Sequence, residues 1–108
     1  MEESEFDKVA REELGRIEDR FMDVDPDQVD VSTSDGVLHL DLRDGVRIVI
    51  NAHRAAKQIW MAAVADAWHF NYVDSEQRWR SSRGGISAEL RETLARVIKE
   101  RIGLEVEI

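Results

Sequence analysis

The sequence predicts an α+β fold, a two-layer sandwich in which an antiparallel sheet of five to six strands carries an N-terminal and a C-terminal helix on one face. Apolar residues recur with helical period near both ends of the chain and with a period of two in between. Short connections join the alternating segments, and short hairpin loops are typical of antiparallel strands. The 108 residues are expected to form one domain, 1–108. The sheet face without helices is left to water.

The N-terminal helix is predicted from Glu5 to Met22, with Ser4 as its N-cap. Its apolar stripe consists of Phe6, Ala10, Leu14, Ile17 and Phe21. Pro26, the only proline, lies beyond the helix and prevents simple continuation.

Two Asp-Gly pairs, at 35–36 and 44–45, predict tight turns between the first strands. Alternation then continues through the middle of the chain, and Arg78-Trp79-Arg80 is predicted as a short last strand. The inward residues of the central strands are Leu38, Leu40, Leu42, Val46, Ile48, Ile50, Ile59, Met61, Ala63, Trp68, Phe70 and Tyr72.

The C-terminal helix is predicted from a Ser87 cap to Arg101, and Gly103 ends it. Gly84-Gly85 breaks the pattern before it, and Leu104–Ile108 should form a short extended tail. The helix's inner stripe is Ile86, Leu90, Leu94, Val97 and Ile98.

Composition excludes several classes of function. The chain has no cysteine, so by itself it forms no disulfide, no thiolate zinc site and no cysteine-ligated iron–sulfur cluster. No apolar run approaches about 18 residues, the minimum for a transmembrane helix. Met1–Ser4 is acidic and resembles neither a signal nor a transit peptide, so we expect a cytoplasmic protein. A pI near 4.8 argues against nucleic acid and anionic membranes as partners.

The negative charge is concentrated in residues 1–42, which hold 14 Asp/Glu against 4 Lys/Arg, a net of −10. Residues 43–108 hold 9 against 11, a net of +2. Folding does not require this asymmetry, and self-repulsion makes it mildly unfavourable. It therefore indicates a cationic partner, either a metal ion or a basic protein surface.

The acids around the end of the first helix are the leading candidate site. Asp19 and Asp23 form an i,i+4 like-charge pair at the helix end where the dipole disfavours anions. The alternative is an ordinary solvated face, partly balanced by Arg16 and Arg20. Asp23-x-Asp25-x-Asp27 is not a calcium loop, because Gln28 and Ser34 occupy the positions of the turn glycine and the bidentate glutamate. Without a preformed cage, such carboxylates should bind hard cations such as Fe²⁺, Fe³⁺, Mn²⁺ or Ca²⁺ weakly.

The outer sheet face is the second candidate site. Trp60 is predicted to point outward beside Asn51 and Gln58, and an exposed tryptophan among amides is a good protein-binding anchor. A register shifted by one residue would instead bury Trp60. His39 and His69 are also predicted outward, either as metal ligands or as ordinary solvated side chains.

The sequence contains no convincing set of catalytic residues. No nucleophile–histidine–acid arrangement or phosphate-binding glycine loop stands out, and the paired carboxylates lie on a solvated helix rather than in an apolar pocket. We therefore expect a protein that is not an enzyme.

The whole pattern resembles the frataxin family in its bacterial CyaY branch, over nearly the entire chain. The most specific part is the acidic first helix followed by an Ile-Asn…Gln-Ile-Trp-x-Ala stretch. The matching segments are Ser4-Glu5-Phe6, Ile17-Glu18-Asp19-Arg20-Phe21, Gly36-Val37-Leu38, Asp44-Gly45, Ile48-Val49-Ile50-Asn51, Gln58-Ile59-Trp60-Met61-Ala62 and His69-Phe70.

The resemblance implies the predicted fold and an iron-binding accessory role in iron–sulfur cluster assembly. It implies weak binding of Fe²⁺ or Fe³⁺ by an acidic ridge that also docks on a basic patch of the cysteine desulfurase and delivers or senses iron. It further implies that Asn51, Gln58 and Trp60 meet the iron–sulfur scaffold protein. The ridge carried over by the resemblance is Glu18, Asp19, Asp23, Asp25, Asp27 and Asp30.

Two other functions stay open at this stage, a ferroxidase or iron-storage protein and an acidic interaction domain that binds no metal. The chain also departs from the family pattern. Met22 and Val29 stand where related bacterial sequences often carry acids, and residues 53–57 and 81–85 diverge.

Overall fold

The computed structural model describes residues 1–81 and 88–108. It contains helix α1 (Glu3–Arg20) and helix α2 (Leu90–Ile102). Seven strands lie in one antiparallel sheet in the order β1-β2-β3-β4-β5-β6-β7. They are β1 (Val29–Ser34), β2 (Val37–Leu42), β3 (Arg47–His53), β4 (Gln58–Ala63), β5 (Asp66–Val73), β6 (Arg78–Ser81) and β7 (Ala88–Glu89). The predicted α+β sandwich is confirmed, with one strand more than the five to six expected.

The core lies between the sheet and the two helices. Inward residues of the strands, such as Leu40, Ile50 and Phe70, are fully buried. They form a single cluster with Phe6 and Ile17 of α1 and with the stripe of α2. Both helices therefore cover the same sheet face, as the pattern predicted. No helix among the described residues is long and apolar enough to cross a membrane.

Both predicted Asp-Gly turns are present. Asp35 and Gly36 have φ of 52° and 77°, the left-handed pair that a two-residue hairpin needs. The Asp44 carboxylate accepts the Val46 N–H at 3.1 Å, and Gly45 has φ 89°. These turns fix the register, and the side chains predicted to point outward do so.

The predicted N-caps of both helices were wrong. Ser4 lies inside α1, whose N-cap is Glu2 with no side-chain cap hydrogen bond. The Glu89 carboxylate caps α2 by accepting the N–H groups of Arg91 and Glu92. Glu89 also pairs with Arg80 in the sheet, so the chain is still extended there and α2 begins only at Leu90. Ser87, Ile86 and Gly84-Gly85 lie outside the described residues.

The C-terminal end of α1 differs from the prediction, whereas that of α2 agrees with it to within one residue. Helix α1 ends at Arg20 rather than Met22, because the N–H groups of Phe21 and Met22 turn back to Glu18 and Asp19. Gly103 ends α2 as predicted, with φ 69°. The tail, residues 104–108, forms no regular strand, although Leu104, Val106 and Ile108 pack against the core.

A buried ion pair joins the two helices. The Arg91 guanidinium donates to both Glu13 carboxylate oxygens, at 2.9 and 2.7 Å, and both side chains are less than a tenth exposed. The bond to Glu13 raises the pKa of Arg91. Sequence reasoning missed this contact because a glutamate on a helix is usually solvated.

Candidate functional site

The six predicted ridge acids lie along one edge of the molecule. Glu18 and Asp19 are in the last turn of α1, and Asp30 is the second residue of β1. Asp23, Asp25 and Asp27 occupy the connection between them, and all six residues are exposed. Because α1 ends at Arg20, Asp23 lies beyond the helix, so the proposed i,i+4 helical pair with Asp19 does not exist. We keep the term acidic ridge for these six residues.

Two ridge carboxylates have local structural roles. Thr33 Oγ1 donates to Glu18 Oε2 at 2.6 Å, which ties α1 to β1. The Asp25 carboxylate accepts the Asp27 N–H at 2.9 Å and closes a turn around Pro26. These two contacts define the shape of the ridge and leave the second oxygen of each carboxylate without a hydrogen bond within the described chain.

The ridge lacks cationic partners, in contrast to other acids of the chain. Within the described part of the chain, none of its six residues forms an ion pair, and Arg16 and Arg20 do not pair with them. Acids elsewhere do form ion pairs with described residues, among them Glu3, Asp7, Glu13, Asp41, Asp44, Glu76, Glu100 and Glu105. Arg16 and Arg20 therefore make no direct ion pair with the ridge, and the six acids outnumber these two cations.

No group of three acidic or histidine side chains in residues 1–81 and 88–108 is arranged to hold a metal ion. The ridge acids are instead spread along a helix end, a turn and a strand. A cation at the ridge would therefore be held by one or two carboxylates and by water, an arrangement that gives weak and unselective binding.

The outer face of the sheet carries a preorganised aromatic stack. Trp60 lies between the rings of His53 and His69, with centroid distances of 3.9 and 4.2 Å and interplanar angles of 12° and 10°. Its Nε1–H donates to Gln58 Oε1 at 2.8 Å, and Gln58 Nε2 donates to Asn71 Oδ1 at 3.1 Å. Trp60 therefore points outward, as predicted, and is held in one orientation.

Asn51 completes this surface, because it is the direct cross-strand partner of Trp60 on β3. We call Asn51, His53, Gln58, Trp60, His69 and Asn71 the outer patch. Sequence reasoning missed the roles of His53 and Asn71. His53 could have been predicted from the alternation of side chains along a strand. It follows Asn51 by two residues, so both side chains lie on the same sheet face.

The divergent 53–57 segment positions the stack and anchors a helix. The Ala56 N–H donates to His53 Nδ1 at 3.3 Å, which orients that ring over Trp60. Arg54 pairs with Asp7 at 2.9 Å and with Glu3 at 3.4 Å, so this side chain binds the start of α1. Residues 53–57 thus have a defined structural role.

His39 and His69 do not share a site. They lie on β2 and β5, with β3 and β4 between them, which is a separation of about 14 Å at the usual strand spacing. His39 is opposite Ser32 and Val49. Chelation of one metal ion by both histidines is excluded by this distance.

Comparison with known proteins identifies the family. A family model described as a frataxin-like domain matches residues 1–104. The chain belongs to the frataxin-like family. The iron–sulfur cluster assembly protein CyaY of Azotobacter vinelandii is 35% identical over 107 residues, which cover 99% of this chain and 94% of that protein.

Solved structures agree on the frataxin-like fold. Frataxin from Psychromonas ingrahamii superposes with a TM-score of 0.87 at 23% identity, covering 99% of this chain and 97% of that one. Trimeric yeast frataxin from Saccharomyces cerevisiae, crystallised in a ferrous complex, gives a TM-score of 0.67 at 26% identity, covering 96% and 88%.

Proposed function

We propose that this frataxin-like protein is an iron-binding accessory protein of iron–sulfur cluster assembly, not itself an enzyme, that acts in the cytoplasm. The acidic ridge docks on a basic surface of the cysteine desulfurase and also binds Fe²⁺ or Fe³⁺ weakly, delivering or sensing the metal. The observation that carries the proposal is the absence of ion pairs from the ridge, while eight acids elsewhere in the described chain are paired. The names of the relatives and the ferrous complex of the yeast protein support the pathway and the metal.

Physical chemistry favours a ridge that serves mainly as a docking surface. Uncompensated surface charge accelerates association with a basic partner and loses this effect as salt increases. Spread-out carboxylates retain metal weakly, so iron bound there remains exchangeable. Weak binding is consistent with a protein that passes on or senses iron, and it argues against a storage protein.

Iron binding is tested by titrating the apoprotein anaerobically with Fe²⁺ and recording amide resonances. We expect selective broadening at residues 18–30, with micromolar or weaker affinity and no comparable effect at the outer patch. Ca²⁺ titration serves as the diamagnetic control and should shift the same amides. If neither cation affects residues 18–30, the metal-independent interaction domain is the better description. Oxygen consumption coupled to Fe²⁺ oxidation would support a ferroxidase instead.

The outer patch is proposed to contact the iron–sulfur scaffold protein. Trp60→Ala should weaken scaffold binding at least about tenfold, because a rigid aromatic anchor is lost. The variant should lose less than about 2 kcal/mol of unfolding free energy, since Trp60 is only half-buried. Trp79→Ala is the control, because Trp79 is 1% exposed and should cost about 3–5 kcal/mol. Unchanged scaffold affinity in the Trp60 variant would exclude the patch as the contact.

A further inference from the structure

Strand β1 is an open edge of the sheet with six residues, Val29–Ser34. The opposite edge strand, β7, has two described residues. Proteins usually protect long edges with Lys, Pro or bulges, because unpaired backbone groups there accept additional strands. Strand β1 contains no Lys, Arg or Pro, so its free edge is available for pairing.

The register identifies which backbone groups of β1 face away from the sheet. The two-residue turn makes Ser34 and Val37 a hydrogen-bonded pair, and such pairs alternate along an antiparallel ladder. The Arg43 N–H donates to the Gln28 carbonyl at 3.0 Å. Gln28 lies an even number of residues before Ser34, so this bond agrees with the alternation. The N–H and C=O groups of Val31 and Thr33 therefore point outward. The Val29 N–H is already bonded to the Asp25 carbonyl at 3.1 Å.

A groove of about 410 Å³ runs beside this edge, between β1 and the end of α1. Its apolar wall includes Val24 and Met22, which is 77% exposed. Glu18, Asp19 and Asp30 also line the groove. A lysine or arginine side chain matches this lining, because its aliphatic stem packs on Met22 while its charge lies near the carboxylates.

We propose that β1 accepts an extended, lysine- and arginine-bearing segment of a partner protein as an eighth strand. Main-chain hydrogen bonds to Val31 and Thr33 provide the pairing, and the groove selects the basic side chains. A second copy of this chain is disfavoured, because pairing two β1 edges would bring two acidic ridges together. The inference rests on the proposed function only in assigning the segment to the cysteine desulfurase.

The first experiment uses a capped seven-residue peptide of alternating Lys and Val. We expect the peptide to slow hydrogen exchange of the Val31 and Thr33 amides at least about tenfold. The same peptide, N-methylated at every residue, keeps the charge but has no N–H donor on either edge and should bind at least about tenfold more weakly. Equal binding of both peptides, or unchanged exchange at Val31 and Thr33, overturns strand addition.

The second experiment compares Val31→Pro with Val31→Ala in desulfurase binding. Proline removes an outward N–H that β2 does not use and is tolerated at such edge positions, while alanine removes the side chain and keeps the donor. Amide spectra check that both variants are folded. We expect the proline variant to bind at least about tenfold more weakly than the alanine variant.

The two proposals fail in different ways. Equal binding by Val31→Pro and Val31→Ala, together with loss of binding when ridge acids are reversed, overturns strand addition and keeps ridge docking. If the wild-type protein does not bind the desulfurase, the proposed docking is wrong, and the peptide experiment alone decides whether β1 accepts a strand.

Discussion

Asp19→Lys combined with Asp23→Lys is expected to abolish binding to the cysteine desulfurase while leaving the melting temperature unchanged or higher. Both side chains are exposed and form no ion pair within the described residues. Their reversal removes attraction and adds repulsion at the centre of the ridge. Each close charge pair in an interface contributes about 1.5 kcal/mol or more, so the affinity should fall at least about 100-fold.

Stability should not suffer, because Asp19 lies in the last turn of α1, where the helix dipole disfavours anions. A lysine there is favoured by about 0.3–1 kcal/mol. Binding is measured by calorimetry at low and moderate salt, and stability by thermal unfolding.

The matched control is Glu12→Lys combined with Asp74→Lys. These two acids line a different groove, with Tyr72, and the variant has the same net charge as the ridge variant, −4 instead of −8. We expect the control to retain most of the affinity. If both variants lose binding equally, the partner responds to total charge and the ridge is not the docking surface.

Glu13→Gln is expected to destabilise the fold by about 3–5 kcal/mol, because it removes the carboxylate that binds the buried Arg91 guanidinium directly. This is a large fraction of the 5–15 kcal/mol typical of domain stability. Urea unfolding measures the effect. Glu12→Gln is the control at the neighbouring exposed position and should change stability by less than about 0.5 kcal/mol.

The double variant Glu13→Leu, Arg91→Leu distinguishes a lost charge partner from lost packing. Replacing both members of a buried pair with apolar residues is often neutral or stabilising, so we expect stability near or above that of the wild type. A loss of less than about 1 kcal/mol in Glu13→Gln would contradict the account, since it would mean that Arg91 reaches water readily.

The sequence was sufficient for the fold class, because periodicity and the two Asp-Gly turns report on local geometry. It also predicted correctly that Trp60 points outward and that the ridge acids are exposed, while the role of these acids as a binding site stays a prediction. It was insufficient for the Glu13–Arg91 pair and for the His53–Trp60–His69 stack. Both depend on which segments the fold brings together, and a residue's own neighbours in sequence carry little information about that.

The helix starts were wrong for a related reason. Ser4 and Ser87 are intrinsically good caps, but propensity is a weak guide where tertiary contacts compete. Pairing of Glu89 with Arg80 extends the chain up to the start of α2, and the Glu89 carboxylate then serves as the cap.

The most direct test of the proposed function is desulfurase turnover in the presence and absence of this protein, each with and without Fe²⁺. We expect the wild-type protein to change the rate at least about twofold, the change to depend on iron, and the Asp19→Lys, Asp23→Lys variant to have no effect. A turnover rate that the wild-type protein leaves unchanged under both conditions would contradict a role for the acidic ridge in regulating cluster assembly.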